Sequence, residues 1–277
     1  MFFGPSILEL VSKNKVYVLC LSIGNESGLG EIRKKELEAS CVSFGINIEN
    51  VTCLDHPLLQ DGPINVWDIE LISEILNYHV NKNDVDMIIT FDDHGISGHS
   101  NHISTYYGSK KFIDSINNNN NNNNITIVES KKSISLYKLT SINVIRKYIS
   151  IFDIFPTYLT LLMNNNNNNN NNNDNNNSNN NNNNNNNDND NDNNNSNNNN
   201  NNNNNNNYNN DGNNQQQHYL TTTQFPNHLI FVSNFDQFIK ARNSMLKCHK
   251  SQLVWFRYLY IIFSRYMIIN VLSKELI

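Results

Sequence analysis

The sequence predicts an α/β fold, a parallel sheet with helices on both faces, interrupted by poly-Asn insertions. Three observations carry that expectation. Short, continuous apolar runs of strand length recur along the first half of the chain, segments with 3.6-residue apolar spacing separate them, and Gly- and Pro-containing loops follow the strands. Strand–helix units repeated at this size give parallel pairing, because the crossover helix returns the chain to the same end of the sheet. In such sheets ligands bind at the carboxyl ends of the strands, so chemistry is expected in the loops 22–30, 55–65 and 92–101.

Val16 to Leu21 is the first buried strand, and a Gly-rich loop, Gly24 to Gly30, follows it. Arg33 to Phe44 is helical, with Leu37, Cys41 and Phe44 on one face and charges on the other, and Gly45 ends it. Val51 to Leu54 is a short strand, Asp55 to Asn65 a loop, Trp67 to His79 a helix and Met87 to Phe91 another buried strand. The loop Asp92 to Gly98 then leads to a helix over His102 to Ile113. In the second half Ile134 to Lys138 alternates as a strand does, and Val144 to Phe155 is helical until Pro156. Leu229 to Val232 is a strand, and Asn234 caps a helix over Asp236 to His249. Ser251 to Asn270 is strongly apolar and aromatic, through Trp255, Phe256, Tyr258, Tyr260, Phe263 and Tyr266.

Composition bounds the function. Of the 277 residues, 164–217 form one Asn-dominated tract and Asn117 to Asn124 a second; setting these 62 residues aside leaves 215. The long tract holds five acids (Asp174, Asp188, Asp190, Asp192, Asp211) and no Lys or Arg, so the net charge of −5 lies entirely within it. The remainder, with 20 acids and 20 bases, has no bulk electrostatic drive toward nucleic acid, and none is expected as a partner. Its apolar fraction rises to about 48%, an ordinary globular value. One domain built from residues 1–163 and 218–277 is expected, with both tracts as disordered insertions. The long tract is either an assembly segment or an expanded repeat without function. Cys20, Cys41, Cys53 and Cys248 form no CxxC pair and read as thiols in a reduced compartment.

The stretch from Phe91 to His102, Phe-Asp-Asp-His-Gly-Ile-Ser-Gly-His-Ser-Asn-His, is the densest in chemistry. His99 and His102 are three apart, a spacing that puts both on one face of a first helical turn. That arrangement suits one metal ligand beside one acid/base or oxyanion-stabilising group. The alternative is a polar loop whose histidines cap and hydrogen-bond. Arg33 has a similar pair of readings, an anion-binding group or a solvated charge at a helix start.

This stretch resembles the Gly-His-x-x-His segment of the zinc-dependent N-acetylglucosamine deacetylases, specifically the family that acts on N-acetylglucosaminyl-phosphatidylinositol in GPI-anchor biosynthesis. Tyr17 to Asn25, Gly30 to Leu37, Val85 to His102, Ser141 to Phe152, Cys248 to Arg257 and Tyr260 to Asn270 resemble it in the same order. The resemblance implies a Rossmann-like fold, one zinc ion, and hydrolysis that releases acetate from the glycolipid. By position, His102 would be a metal ligand, and His99 would stabilise the oxyanion or protonate the leaving amine. Arg33, with Glu36 nearby, would face the phosphoinositol end, and Asp92 and Asp93 are placed with them among the substrate-binding residues. The cytosolic face of the endoplasmic reticulum membrane is the implied location.

One departure stands out. The family opens with a strand ending in Ala-His-Pro-Asp-Asp-Glu, which supplies two metal ligands and the general base; this sequence has no such motif, and His56-Pro57 lacks the acids to replace it. Met1-Phe2-Phe3 resembles the segment just after that motif, and the helix Ser6 to Ser12 comes next. Two expectations result: a chain whose start lies upstream of Met1, or a catalytically dead glycolipid-binding homologue. A strand removed from the middle of a sheet should leave its neighbours with unpaired edges. At the other end, Val254 to Ile269 is too short and carries Arg257 and Arg265, so it is expected to lie in a membrane surface or, alternatively, in the core.

Overall fold

The computed structural model describes residues 2–62, 65–122, 134–160, 162–163 and 226–276. The long Asn tract, and residues 123 and 124 of the short one, lie outside these. Two compact units divide the chain: Met1–Tyr158 with Phe225–Ile277, and Leu159–Gln224, of which almost nothing is described. The elements and contacts below all belong to the first unit.

Helix α1 (Gly4–Leu10) starts on Pro5, whose fixed φ suits a first turn. Strand β1 (Val18–Cys20) leads through a loop to α2 (Gly30–Phe44), which stops where Gly45 adopts φ 98°. β2 (Val51–Cys53) pairs with β1 in parallel. α3 (Ile69–Asn83) begins at Asp68, whose carboxylate accepts the amides of Glu70 and Leu71. β3 (Met87–Phe91) is followed by a kinked turn, α4 (Gly95–Gly98), and by α5 (Ser100–Asn122). β4 (Ser135–Leu139), α6 (Val144–Tyr148), β5 (His228–Val232), α7 (Phe235–Cys248), α8 (Trp255–Phe263) and β6 (Ile269–Lys274) complete the described elements. At α7 the Asn234 side chain accepts the Gln237 amide while Gln237 reaches back to the Asn234 amide.

The sheet departs from the all-parallel expectation in two ways. β3 and β4 are parallel, but β6 runs antiparallel between β4 and β5, giving the order β3-β4-β6-β5. β1 and β2 form a separate two-stranded piece. Among the described residues β1 pairs only with β2, and β3 only with β4, so one edge of each stays open. The aromatic run 251–270 divides into three parts: α8 ends at Phe263, a 3-10 turn covers Arg265–Met267, and the chain enters the sheet. α6 is likewise shorter than its apolar pattern predicts, because Ser150 takes φ 53° and a 3-10 turn replaces the next α-turn. α5, by contrast, runs into the short Asn tract as far as Asn122, so that part is helical rather than a disordered insertion. Extending a formed helix costs far less than nucleating one, which offsets the low propensity of Asn.

Helices do cover both faces. Period-2 alternation sends Tyr137 and Leu139 of β4 toward Leu8, Ala241, Met245, Ile261 and Leu272, and sends Leu136 with Ile88 toward Val80, Phe112 and Ile113. Leu21, Leu59, Trp67 and Ile72 form a third cluster beside β1. α3 and α5 touch closely at Gly108, where a Cβ would lie 2.5 Å from Ile72, so only glycine permits the approach.

The last turn before β6 buries a charge cluster. Asp153 is fully buried, and its Oδ1 accepts from Arg146 Nε at 2.7 Å. Its Oδ2 accepts from Thr157 Oγ1 at 2.9 Å, and buried Arg265 Nε approaches the same oxygen at 2.9 Å as an ion pair. Removing one partner of such a cluster strands the others in low dielectric. Asp153→Ala is expected to lower unfolding stability by about 3–5 kcal/mol, and Thr157→Val by about 1 kcal/mol, read from urea midpoints; equal and small losses would refute the ranking.

Candidate active site

The site forms where β1 and β3 end. Asp92, the first residue beyond β3, is buried. Its carboxylate accepts from the Ser141 amide at 2.5 Å, the Ser141 hydroxyl at 2.6 Å and the His94 amide at 3.2 Å. Ser141 Oγ in turn accepts the Ile96 amide at 2.8 Å. These bonds hold a turn in which Gly95, Ile96 and Gly98 all have positive φ, at 55°, 66° and 72°. For Ile96 this conformation is strained. Asp93 is exposed and pairs with the exposed His94 at 2.9 Å. That hydrogen bond lowers the Asp93 pKa and raises that of His94.

The turn delivers both histidines. His99 is extended and its carbonyl accepts the Ile103 amide, which opens α5. His102 lies on the first turn of α5, and the two rings stack with centroids 4.8 Å apart. The His102 ring also stacks on Phe91 at 3.8 Å and meets the edge of Phe2 at 5.7 Å. Burial pushes its pKa down to about 4, against the Gly95 carbonyl bond, which favours the charged form. His102 Nδ1 is 3.0 Å from the Gly95 carbonyl oxygen, a group that only accepts. The proton of the neutral ring therefore sits on Nδ1, and Nε2 carries a lone pair. This is the tautomer of a metal ligand, fixed by a bond to a backbone carbonyl.

Opposite, Arg33 Nη1 donates to the Gly24 carbonyl at 2.5 Å, while its buried Nε has no partner among the described residues. The Asp61 carboxylate and the Arg33 side chain converge over Gly24, at 3.1 and 3.2 Å from where a Cβ would stand. Asp61 Oδ1 also accepts from Asn101 Nδ2 at 3.2 Å, which links the β1 side of the pocket to α5. The two oxygens of Glu36 accept from the amide and hydroxyl of Ser251 at 2.7 and 2.6 Å. That clamp brings His249 and Arg257 to the pocket. Burial lowers the His249 pKa to about 4, with Glu36 opposing the shift. Burial also lowers that of Arg257, and the nearby Arg33 charge adds to it.

Of the residues singled out in the sequence, His99 and His102 are brought together, and Arg33 lies with Asp61 at Gly24, from where the Asp61 charge reaches His102. Asp92 and Glu36 have their carboxylates engaged in internal bonds, and Asp93 turns to solvent. Asp61, His249 and Arg257 were not anticipated. Only the aromatic context of Cys248 to Arg257 hinted at the last two. For zinc, the donor set is short: a hydrolytic centre takes three protein ligands and an open position. The one cluster of three donor side chains among the described residues is Asp92, Asp93 and His94, away from the imidazole pair. His102 fits a metal ligand, but the residues present do not complete a centre around it.

Residues 1–113 match a family model described as "PIG-L: GlcNAc-PI de-N-acetylase". The chain is 32% identical to a probable N-acetylglucosaminyl-phosphatidylinositol de-N-acetylase of Dictyostelium discoideum, over 99% of this chain and 88% of that protein. It is 29% identical to the probable Schizosaccharomyces pombe enzyme, covering 81% of it. The identity is also 29% to the Bos taurus enzyme, covering 78% of it.

The two buried neutral histidines make stability depend on pH. Their folded pKa values of about 4 lie below the ordinary histidine value of 6.5, so the unfolded chain binds more protons between these limits. Stability is expected to be fully present above pH 6.5 and to fall as pH drops toward 4, by a few kcal/mol in all. His102→Asn or His249→Asn should flatten the urea-midpoint profile across that window; an unchanged slope in both would refute the assignment.

Proposed function

Because the chain belongs to the family of N-acetylglucosaminyl-phosphatidylinositol de-N-acetylases, we propose that it is a hydrolase removing the acetyl group of this glycolipid at the cytosolic face of the endoplasmic reticulum membrane. The location rests on the family alone. The observation that supports the reaction is His102, held neutral with its proton on Nδ1 and its ring stacked beside His99.

In this reading water adds to the acetamide carbonyl and the C–N bond breaks, giving acetate and a free amine. The oxyanion must be stabilised and the amine protonated as it leaves. His99, exposed beside the neutral His102 ring, is placed for either task. Zinc, when bound, would polarise the carbonyl, and His102 is the side chain prepared to ligate it. Arg33 and Arg257 supply positive charge for the phosphodiester, and His249 lies next to them. Asp92 and Glu36 are assigned to positioning, since both carboxylates are already bonded within the protein.

The incomplete donor set around His102 favours a second reading, a binding protein that holds the glycolipid without turnover. Acetate release from N-acetylglucosaminyl-phosphatidylinositol by the purified chain with added zinc decides between them. The hydrolase reading expects release, a loss of about 10²–10⁴-fold in kcat for His99→Ala, and a raised KM for Arg33→Ala. Binding of the glycolipid with no acetate establishes the second reading, and neither binding nor release refutes both.

A further inference from the structure

The helix α8 is apolar on every side yet is covered on only one. Tyr260 and Ile261 are buried, whereas Trp255 is 75% exposed and Phe256, Tyr258, Leu259, Ile262 and Phe263 are all exposed as well. A soluble helix that is apolar all round is normally enclosed. The segment formed by α6 and the residues after it behaves in the same way: Ile145 is 78%, Phe152 79% and Phe155 86% exposed. The two segments adjoin, since Tyr148 meets Tyr260 edge-on at 6.4 Å and Asp153 pairs with Arg265, just beyond α8. Isolated apolar side chains on a surface need no explanation, but a continuous set of large ones marks an interaction face.

We propose that α8 and the segment 144–155 dock on the headgroup–acyl boundary of an anionic bilayer. Charge identifies the occupant. Residues 249–268 contain no acid, and the one acid in 141–158, Asp153, is fully buried and paired. Lys147, Lys250 and Arg257 flank the aromatic side chains, while Arg146 is tied to Asp153. Aromatic and aliphatic residues beneath, with basic residues at headgroup level, are the make-up of an interfacial surface. A second copy of the chain would set these bases against their own equivalents, which repel. Among the described residues no helix is long and apolar enough to cross a membrane.

The position of the face deepens the proposed function and on this point rests on it. Arg257 lies on α8 and is near enough to Arg33 to feel its charge, so docking of α8 would bring both guanidinium groups toward the lipid phosphates. The glycan head then enters the pocket while the acyl chains stay in the bilayer.

The test is co-sedimentation of the full chain with vesicles of phosphatidylcholine, with and without phosphatidylserine. The wild type is expected to pellet with the anionic vesicles, less so in high salt. Phe152→Glu with Phe155→Glu, and Trp255→Glu with Phe256→Glu, should each weaken this by about tenfold or more. In the wild type, Trp255 fluorescence should be quenched by brominated phosphatidylcholine, a reading that does not depend on how the variants fold. Wild type that stays in the supernatant, an unquenched Trp255, or a dimer in light scattering that these substitutions dissolve would each overturn the proposal. Acetate release from a detergent-dispersed short-chain glycolipid is read separately: docking without release refutes the hydrolase and leaves the surface, and release without docking does the reverse.

Discussion

The two histidines of the pocket are placed by a carboxylate that touches neither of them. Asp92 sits at the end of β3 and gathers the amide and hydroxyl of Ser141, from the far end of β4, together with the His94 amide. Charge-assisted bonds of this kind are strong when buried. They offset the strain of a turn with three positive-φ residues, one of them an isoleucine, each strained residue costing about 1–3 kcal/mol. The turn aims the Gly95 carbonyl at His102 Nδ1, and that bond settles which nitrogen is free. Register between two parallel strands, a strained loop and the protonation state of a ring thus form one chain of causes.

Much of this was legible in the sequence, and what was missed has physical reasons. β3, α2 with its Gly45 stop, and the Asn234 cap were readable because apolar period and capping are local properties. β6 was hidden within an aromatic run, because where nearly every residue is apolar neither period shows. The Asp–Asp–His sequence marked the right loop but not the division of labour inside it, since the clamp and the exposed acid differ only in which way each side chain turns. Asp61, His249 and Arg257 are brought in by tertiary contacts, the last two from more than 200 residues beyond Arg33, and only the character of the Cys248 to Arg257 segment hinted at them.

The charge balance also has a local meaning. The domain is neutral as a whole, yet its bases and acids are sorted, with acids tied into clamps such as Glu36–Ser251 and Asp92–Ser141. What has no hydrogen-bond partner there among the described residues is cationic: the buried Nε of Arg33, whose charge also lowers the pKa of nearby Arg257. Two such groups side by side are costly until an anion lies between them. Strong local selection for a phosphate-like charge is therefore compatible with a chain that has no overall attraction for polyanions.

The division of the sheet gives this pocket a mechanical character. Arg33 lies beyond β1 and His102 beyond β3, and these strands belong to separate hydrogen-bonded ladders. No backbone rung among the described residues fixes the spacing between the two halves. It is set by α3 seated against α5 at Gly108 and by side-chain bonds such as Asn101 to Asp61, the Trp67 amide to Ser104 and Ser251 to Glu36. Each wall thus keeps its own backbone ladder, while side chains alone gauge the distance between the walls.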